Sequence, residues 1–240
     1  MNATDTLRED HKQIHRLERL VTRCYTKLYA GFDIPFSDIE KMTMIMSEFL
    51  DAIHYSREED AYFPCVVSYG SLKEEIRAFM IEHEFSRRIA HNIAIHLAKW
   101  KIGEDAREPV ARFLKAYAVY LDDHMAKEEK FFDAAQANVL SQEEEKTMYE
   151  EFHAVTAIMT KLDEMLKSLD YLEQRPWQKT RVPQRLILLW DKTGPRVLQV
   201  YIFVPWISWD PTIIIYYNHS MQTIHTIWQI SQIFECTLPP

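Results

Sequence analysis

The sequence predicts an all-α protein: an up-down-up-down four-helix bundle with a fifth helix attached and an irregular or β-prone C-terminal tail. Three observations carry that prediction. Only four glycines occur in 240 residues, too few for a turn-rich β fold. Four capping boxes, Thr6-x-x-Glu9, Ser37-x-x-Glu40, Ser71-x-x-Glu74 and Ser141-x-x-Glu144, mark helix starts where side chains satisfy orphan backbone donors. Two copies of one pattern, His54-x-x-x-Glu58-Glu59 and His124-x-x-x-Glu128-Glu129, sit within stretches of helical periodicity.

The spacing places helices at roughly 5–29, 38–62, 72–100, 107–133 and 142–172, each about 35–40 Å long at 1.5 Å per residue. Gly31 to Pro35 separate the first from the second, and Pro64 and Gly70 the second from the third. Gly103 stops the third, and Pro109 is tolerated in the first turn of the fourth. Connections this short make consecutive helices antiparallel neighbours. Residues 1–175 are therefore expected to form the helical bundle.

Residues 176–240 differ in kind. They hold seven of the ten prolines and five of the six tryptophans. Three acidic side chains (Asp191, Asp210, Glu235) against five basic ones give net +2, so residues 1–175 carry −10 of the total −8. The stretches 185–190, 197–204 and 212–217 are β-prone but alternate poorly, and Pro205 and Pro211 interrupt them. Three readings stay open for this tail: a poorly ordered extension, a segment that is not an evolved domain, and a small β module docking on the bundle; the tail is also the candidate contact for a protein partner.

Composition excludes several classes. A formal charge of −8, with no basic stripe among aromatics, argues against a nucleic-acid partner. Three scattered cysteines with no CxxC pair support neither a zinc ribbon nor a disulfide framework. No apolar run of membrane-spanning length appears, and the polar start of the chain lacks a signal peptide's apolar core, which implies a cytoplasmic protein.

The candidate site follows from the repeated pattern. Residues i and i+4 share a helix face, so each copy aims an imidazole and a carboxylate at one place. Taking His11, His54, His83 and His124 gives one imidazole per helix, and Glu58 and Glu128 can each bridge two metals through their two oxygens. Nitrogen and carboxylate ligands with open positions suit redox-active iron better than magnesium or calcium. His15 shares a face with His11 and is a candidate outer or extra ligand. Tyr117 and Tyr120, seven and four residues before His124, either line the core or donate a hydrogen bond to a bound ligand.

The order Asp10-His11, then His54-x-x-x-Glu58-Glu59-Asp60-x-x-Phe63-Pro64, Glu82-His83-Glu84-x-x-Arg87 and His124-x-x-x-Glu128-Glu129-x-x-Phe132 resembles the hemerythrin-like, or HHE cation-binding, family over about residues 5–170. That resemblance implies a four-helix bundle around two non-haem iron ions, bridged by oxygen and by Glu58 and Glu128. One iron would be held by His11 and His54, the other by His83 and His124. The chain departs from the oxygen carriers at Arg87, where they place a second histidine, and in its His-x-x-x-Glu rather than His-x-x-x-x-Asp spacing. The function implied is binding of O2, NO or peroxide in sensing, stress response or iron handling. A peroxide- or NO-reducing enzyme and an iron-sensing regulator acting through the tail are the alternatives.

Overall fold

The computed structural model describes residues 2–154 and 156–180, together with three short strands further on. Helix α1 is Ala3–Tyr29. Its capping box is Asn2 with Asp5, not Thr6 with Glu9. Helix formation begins earlier than the sequence suggested, so Thr6 lies inside the first turn and its hydroxyl bonds Asn2 O at 3.0 Å.

Helix α2 opens as Phe36–Ile45, runs through π-helical stretches Met46–Tyr55 and Glu58–Tyr62, and closes as Phe63–Ser68. Pro64 therefore does not end it. The Phe63 N–H reaches back five residues to Glu58 O, and Pro64 follows directly after this wider turn, in the first turn of the closing stretch. The expected box at Ser37 is also absent, since the helix starts on Pro35 with no side-chain cap. Helix α3 is Lys73–Lys101, entered through Leu72 at φ +56° and Gly70 at φ +76°, so Ser71 makes no cap there either. Helix α4 is Arg107–Asn138.

The expected fifth helix is two helices, α5 (Gln142–His153) and α6 (Thr156–Glu173), and only α5 shows the predicted Ser141–Glu144 box. A final turn, α7 (Pro176–Lys179), belongs with the bundle. Fully buried Asp38 accepts from Arg175 Nε at 2.8 Å and Trp177 Nε1 at 2.7 Å. Hydrogen bonds to a charged acceptor of this kind contribute about 1.5–3 kcal/mol each.

Cross-helix contacts show the up-down arrangement. Arg8 reaches Asp133 while Arg107 bonds Leu28 O, so α1 and α4 run antiparallel. Lys101–Glu40 and Arg87–Asp51 do the same for α3 and α2. The core forms two apolar clusters. One contains Ile14, Phe49, Tyr55, Tyr117, Leu121 and Met125; the other contains Leu7, Tyr62, Phe63, Phe79, Phe131 and Phe132. Along each helix, the candidate histidine falls in sequence between residues of the two clusters. No helix among the described residues is long and apolar enough to cross a membrane.

The chain divides into two units, Met1–Arg181 and Val182–Pro240. In the second, β1 (Ile187–Leu189), β2 (Val197–Tyr201) and β3 (Ile214–Tyr216) form an antiparallel sheet in the order β1-β2-β3. Ile187 pairs with Tyr201, and Val197 with Tyr216. Each β-prone stretch thus supplies one strand. What was expected of the other residues beyond 180, including four of the tail's tryptophans, lies outside the described residues.

Candidate metal centre

Four helices bring six buried side chains to one level of the bundle. His11 comes from α1, His54 and Glu58 from the two π-helical stretches of α2, His83 from α3, and His124 and Glu128 from α4. All are at most 2% exposed. The histidines form two pairs. Ligand atoms of His11, His54, Glu58 and Glu128 lie within 4.8 Å of one another, as do those of His83, His124 and Glu128.

Each glutamate turns one oxygen towards each pair. Glu128 Oε2 is 3.2 Å from His11 Nε2, and its Oε1 is 3.0 Å from His124 Nε2. Glu58 Oε1 is 3.6 Å from His54 Nε2, and its Oε2 is 3.4 Å from His83 Nε2. The His11–His54 pair therefore gathers an oxygen from each carboxylate, while at the His83–His124 pair Glu128 completes the cluster and Glu58 reaches His83 alone.

Behind the imidazoles stands a ring of carboxylates that single-helix reasoning missed. Nδ1 of His11 meets Glu129 at 2.8 Å, that of His54 meets Asp10 at 3.4 Å, that of His83 meets Glu59 at 2.7 Å, and that of His124 meets Glu82 at 2.8 Å. Each carboxylate has a cation: Arg8 on Glu129, Arg57 on Asp10, Arg87 on Glu59, Lys127 on Glu82. The pattern is cyclic. The acid on α1 serves the imidazole on α2, α2 serves α3, α3 serves α4, and α4 serves α1. In every case the cation comes from the helix that carries the imidazole. The sequence signal was present, because every one of these acids is adjacent in the chain to an inward-facing ligand candidate. A carboxylate on Nδ1 holds the proton there and leaves Nε2 as the electron-pair donor facing inward.

Arg87 does not enter the site. Its guanidinium bonds Asp51 at 2.6 Å and both oxygens of Glu59 at 2.9 and 3.0 Å, and it lies over the Tyr55 ring. His15 is exposed, because the inward position on that turn of α1 belongs to Ile14. His91 is exposed and His96 stacks on Phe113, so neither joins the cluster. A surface cleft of about 540 Å³, whose lining includes Glu40 and Ile102, is lined by none of the six residues.

Electrostatics follow the same geometry. Burial opposes charge on His11 and His124, yet the neighbouring carboxylates outweigh it and raise each to about 9. His54, with its more distant acid, is pushed down to about 4 by burial. Burial, then the charge of Glu128, raises Glu58 well above the usual carboxylate range. Glu128 resists burial through His124, His11 and His83 and lies well below it.

The residues fit a resident cation. Among the described residues, His11 Nε2, His54 Nε2, both Glu58 oxygens and Glu128 Oε2 are buried with no hydrogen-bond partner. His11 Nε2 and Glu128 Oε2 are close but outside hydrogen-bond geometry. Five polar atoms without partners, converging in one buried layer, would be costly in any other role.

The comparisons agree with this chemistry. A family model described as Hemerythrin HHE cation binding domain matches residues 2–135. An uncharacterized protein of Mycobacterium bovis and two from strains of Mycobacterium tuberculosis are each 23% identical over 153 residues, 63% of this chain and 60% of theirs. The chain thus spans less than two thirds of the length of the curated relatives it matches. No solved structure matches it.

Proposed function

The chain belongs to the hemerythrin HHE cation-binding family, and from that premise we propose that it is a non-haem di-iron protein that binds O2, NO or peroxide. His11 and His54 would hold one iron and His83 and His124 the other, with Glu58 and Glu128 shared between them. The observation that supports this reading best is the placing of one oxygen of each glutamate beside each histidine pair. A site for a single ion has no use for two carboxylates turned both ways.

Nitrogen and carboxylate donors with room for further ligands favour iron over a hard cation, and no thiolate stands among the six to favour zinc. Iron, when bound, supplies open coordination positions and one-electron redox change. The protein's own residues do the rest. The outer acids fix the imidazole tautomers, and the two apolar clusters keep water away from both sides of the layer.

Protein prepared anaerobically with Fe(II) and then exposed to air is expected to contain two irons per chain. It should also develop charge-transfer bands in the near ultraviolet and visible. Metal analysis giving one iron or none per chain would refute the reading.

A further inference from the structure

Resting on the di-iron reading, we propose that the hydroxyls of buried Tyr55, Ser86 and Tyr117 and of half-buried Tyr120 form a donor subsite beside His83 and His124. There Tyr120 gives a hydrogen bond to the outer atom of a small anionic or oxygen-containing ligand. The rings come first. Tyr55 lies face to face with His83, centroids 3.8 Å apart and 14° between planes, and Tyr120 stacks on His124 at 4.9 Å and 22°. In the cluster that holds Leu7, the rings near the imidazoles are phenylalanines: Phe63 beside His83, Phe79 beside His124 and Phe132 beside His11. Tyr62, in that same cluster, has its hydroxyl on Thr4. Packing alone is therefore served by phenylalanine at this site, and a buried hydroxyl carries a desolvation cost that phenylalanine does not. The hydroxyl-bearing rings stack on the His83–His124 pair, with Tyr55 also meeting the His54 ring at 5.7 Å.

Their hydrogen bonds leave one proton over. The contacts run in a line, Tyr120 to Tyr55 at 3.2 Å, Tyr55 to Ser86 at 3.0 Å and Ser86 to Tyr117 at 3.2 Å. Four hydroxyls carry four protons, and these three contacts use three. With Tyr55 donating to Ser86 and Ser86 to Tyr117, the spare O–H is that of Tyr117. Hydroxyl protons rotate to suit their partners, so a hydrogen-bond acceptor beside His124 can reverse the line. The spare donor is then Tyr120. The line also has an outlet: Ser86 and Arg87, with Ser47, Asp51 and His91, line a cleft of about 250 Å³ between α2 and α3.

Azide is the probe. The iron-loaded full chain is titrated with sodium azide, following its visible charge-transfer band and its antisymmetric stretch in H2O and in D2O. The stretch should shift in D2O for the unaltered protein. Tyr120→Phe, with its two irons retained, should bind azide about tenfold more weakly, equivalent to about 1.4 kcal/mol, and lose the D2O shift. Tyr55→Phe, which cuts the line next to Tyr120, should alter the shift without abolishing binding. Azide affinity within twofold of the unaltered protein and an unchanged D2O shift in Tyr120→Phe would overturn the subsite while leaving the iron pair standing. Failure of the unaltered chain to hold two irons would remove the subsite and the di-iron reading together.

Discussion

The two histidine pairs are built from the same parts and surrounded differently. Each imidazole has an inward Nε2, an outer acid and a cation on that acid. Around His83 and His124 the acids are close, at 2.7 and 2.8 Å, and their cations Arg87 and Lys127 are 31% and 46% exposed. His54 is the exception. Its acid Asp10 stands off at 3.4 Å and is held instead by Arg57 at 2.6 Å, in a pair only 5–6% exposed. Distance and burial therefore make chemically unequal halves from an equal plan. The half with tight acids and tyrosine neighbours is suited to meeting a ligand, and the half with the buried ion pair to holding the helices.

Removing a shared group should have the largest effect. Glu128→Ala takes an oxygen from both pairs and leaves His11 and His124 without their main counter-charge. Iron content should fall from two per chain towards none, and the metal-free protein should lose about 3–5 kcal/mol in chemical denaturation. Retention of two irons in Glu128→Ala would remove the symmetry of the plan.

Next comes the contrast between buried and exposed cations. Arg57→Ala strands Asp10 and should cost about 3 kcal/mol, the lower end of the usual range, because Arg57 Nε and Nη2 are already without partners. Lys127→Ala breaks a pair that water screens and should cost under about 1 kcal/mol. Equal losses in urea unfolding would erase the distinction between the halves.

Weakening one outer acid should act on its own pair. Glu59→Gln is expected to lower iron affinity of the His83–His124 half by about 10–100-fold. Competition with a chelator should then show two unequal sites where the parent shows closer ones.

The pH dependence has a fixed sign. In the metal-free protein His11 and His124 keep protons up to about 9, and these must leave before iron binds. Apparent affinity should therefore rise with pH through neutrality and level off near 9. His54, lowered to about 4, has no proton to release in that window. A titration series showing affinity flat between pH 6.5 and 9 would contradict the charge assignment. The smallest effect is expected at His15, where alanine should leave both iron content and stability within about 0.5 kcal/mol of the parent.

Much of this was legible in the sequence, for a definite reason. Ligands at i and i+4 lie on one helix face, so one helix read alone shows where His54 and Glu58 point. The outer acids were not legible in that way. A neighbour at i+1 is turned by about 100°, which on a single helix resembles a surface position. Asp10, Glu59, Glu82 and Glu129 find their imidazoles only when the next helix is in place. The π-helical runs were hidden as well, because Pro64 signals a break to any rule based on four-residue hydrogen bonds. Thr6 misled for a local reason: Asn2 caps the helix a turn earlier.

The cyclic order of those acids has a mechanical consequence. Apolar contacts alone leave several rotational settings of the rods in a bundle close in energy, since one leucine surface resembles the next. Here each of the four rods gives an acid to one neighbour and receives one from the other. Rolling any single rod breaks two imidazole contacts at once, on opposite sides. The loop thereby keys all four rods to a single rotational setting, with four Nε2 atoms left pointing to the axis.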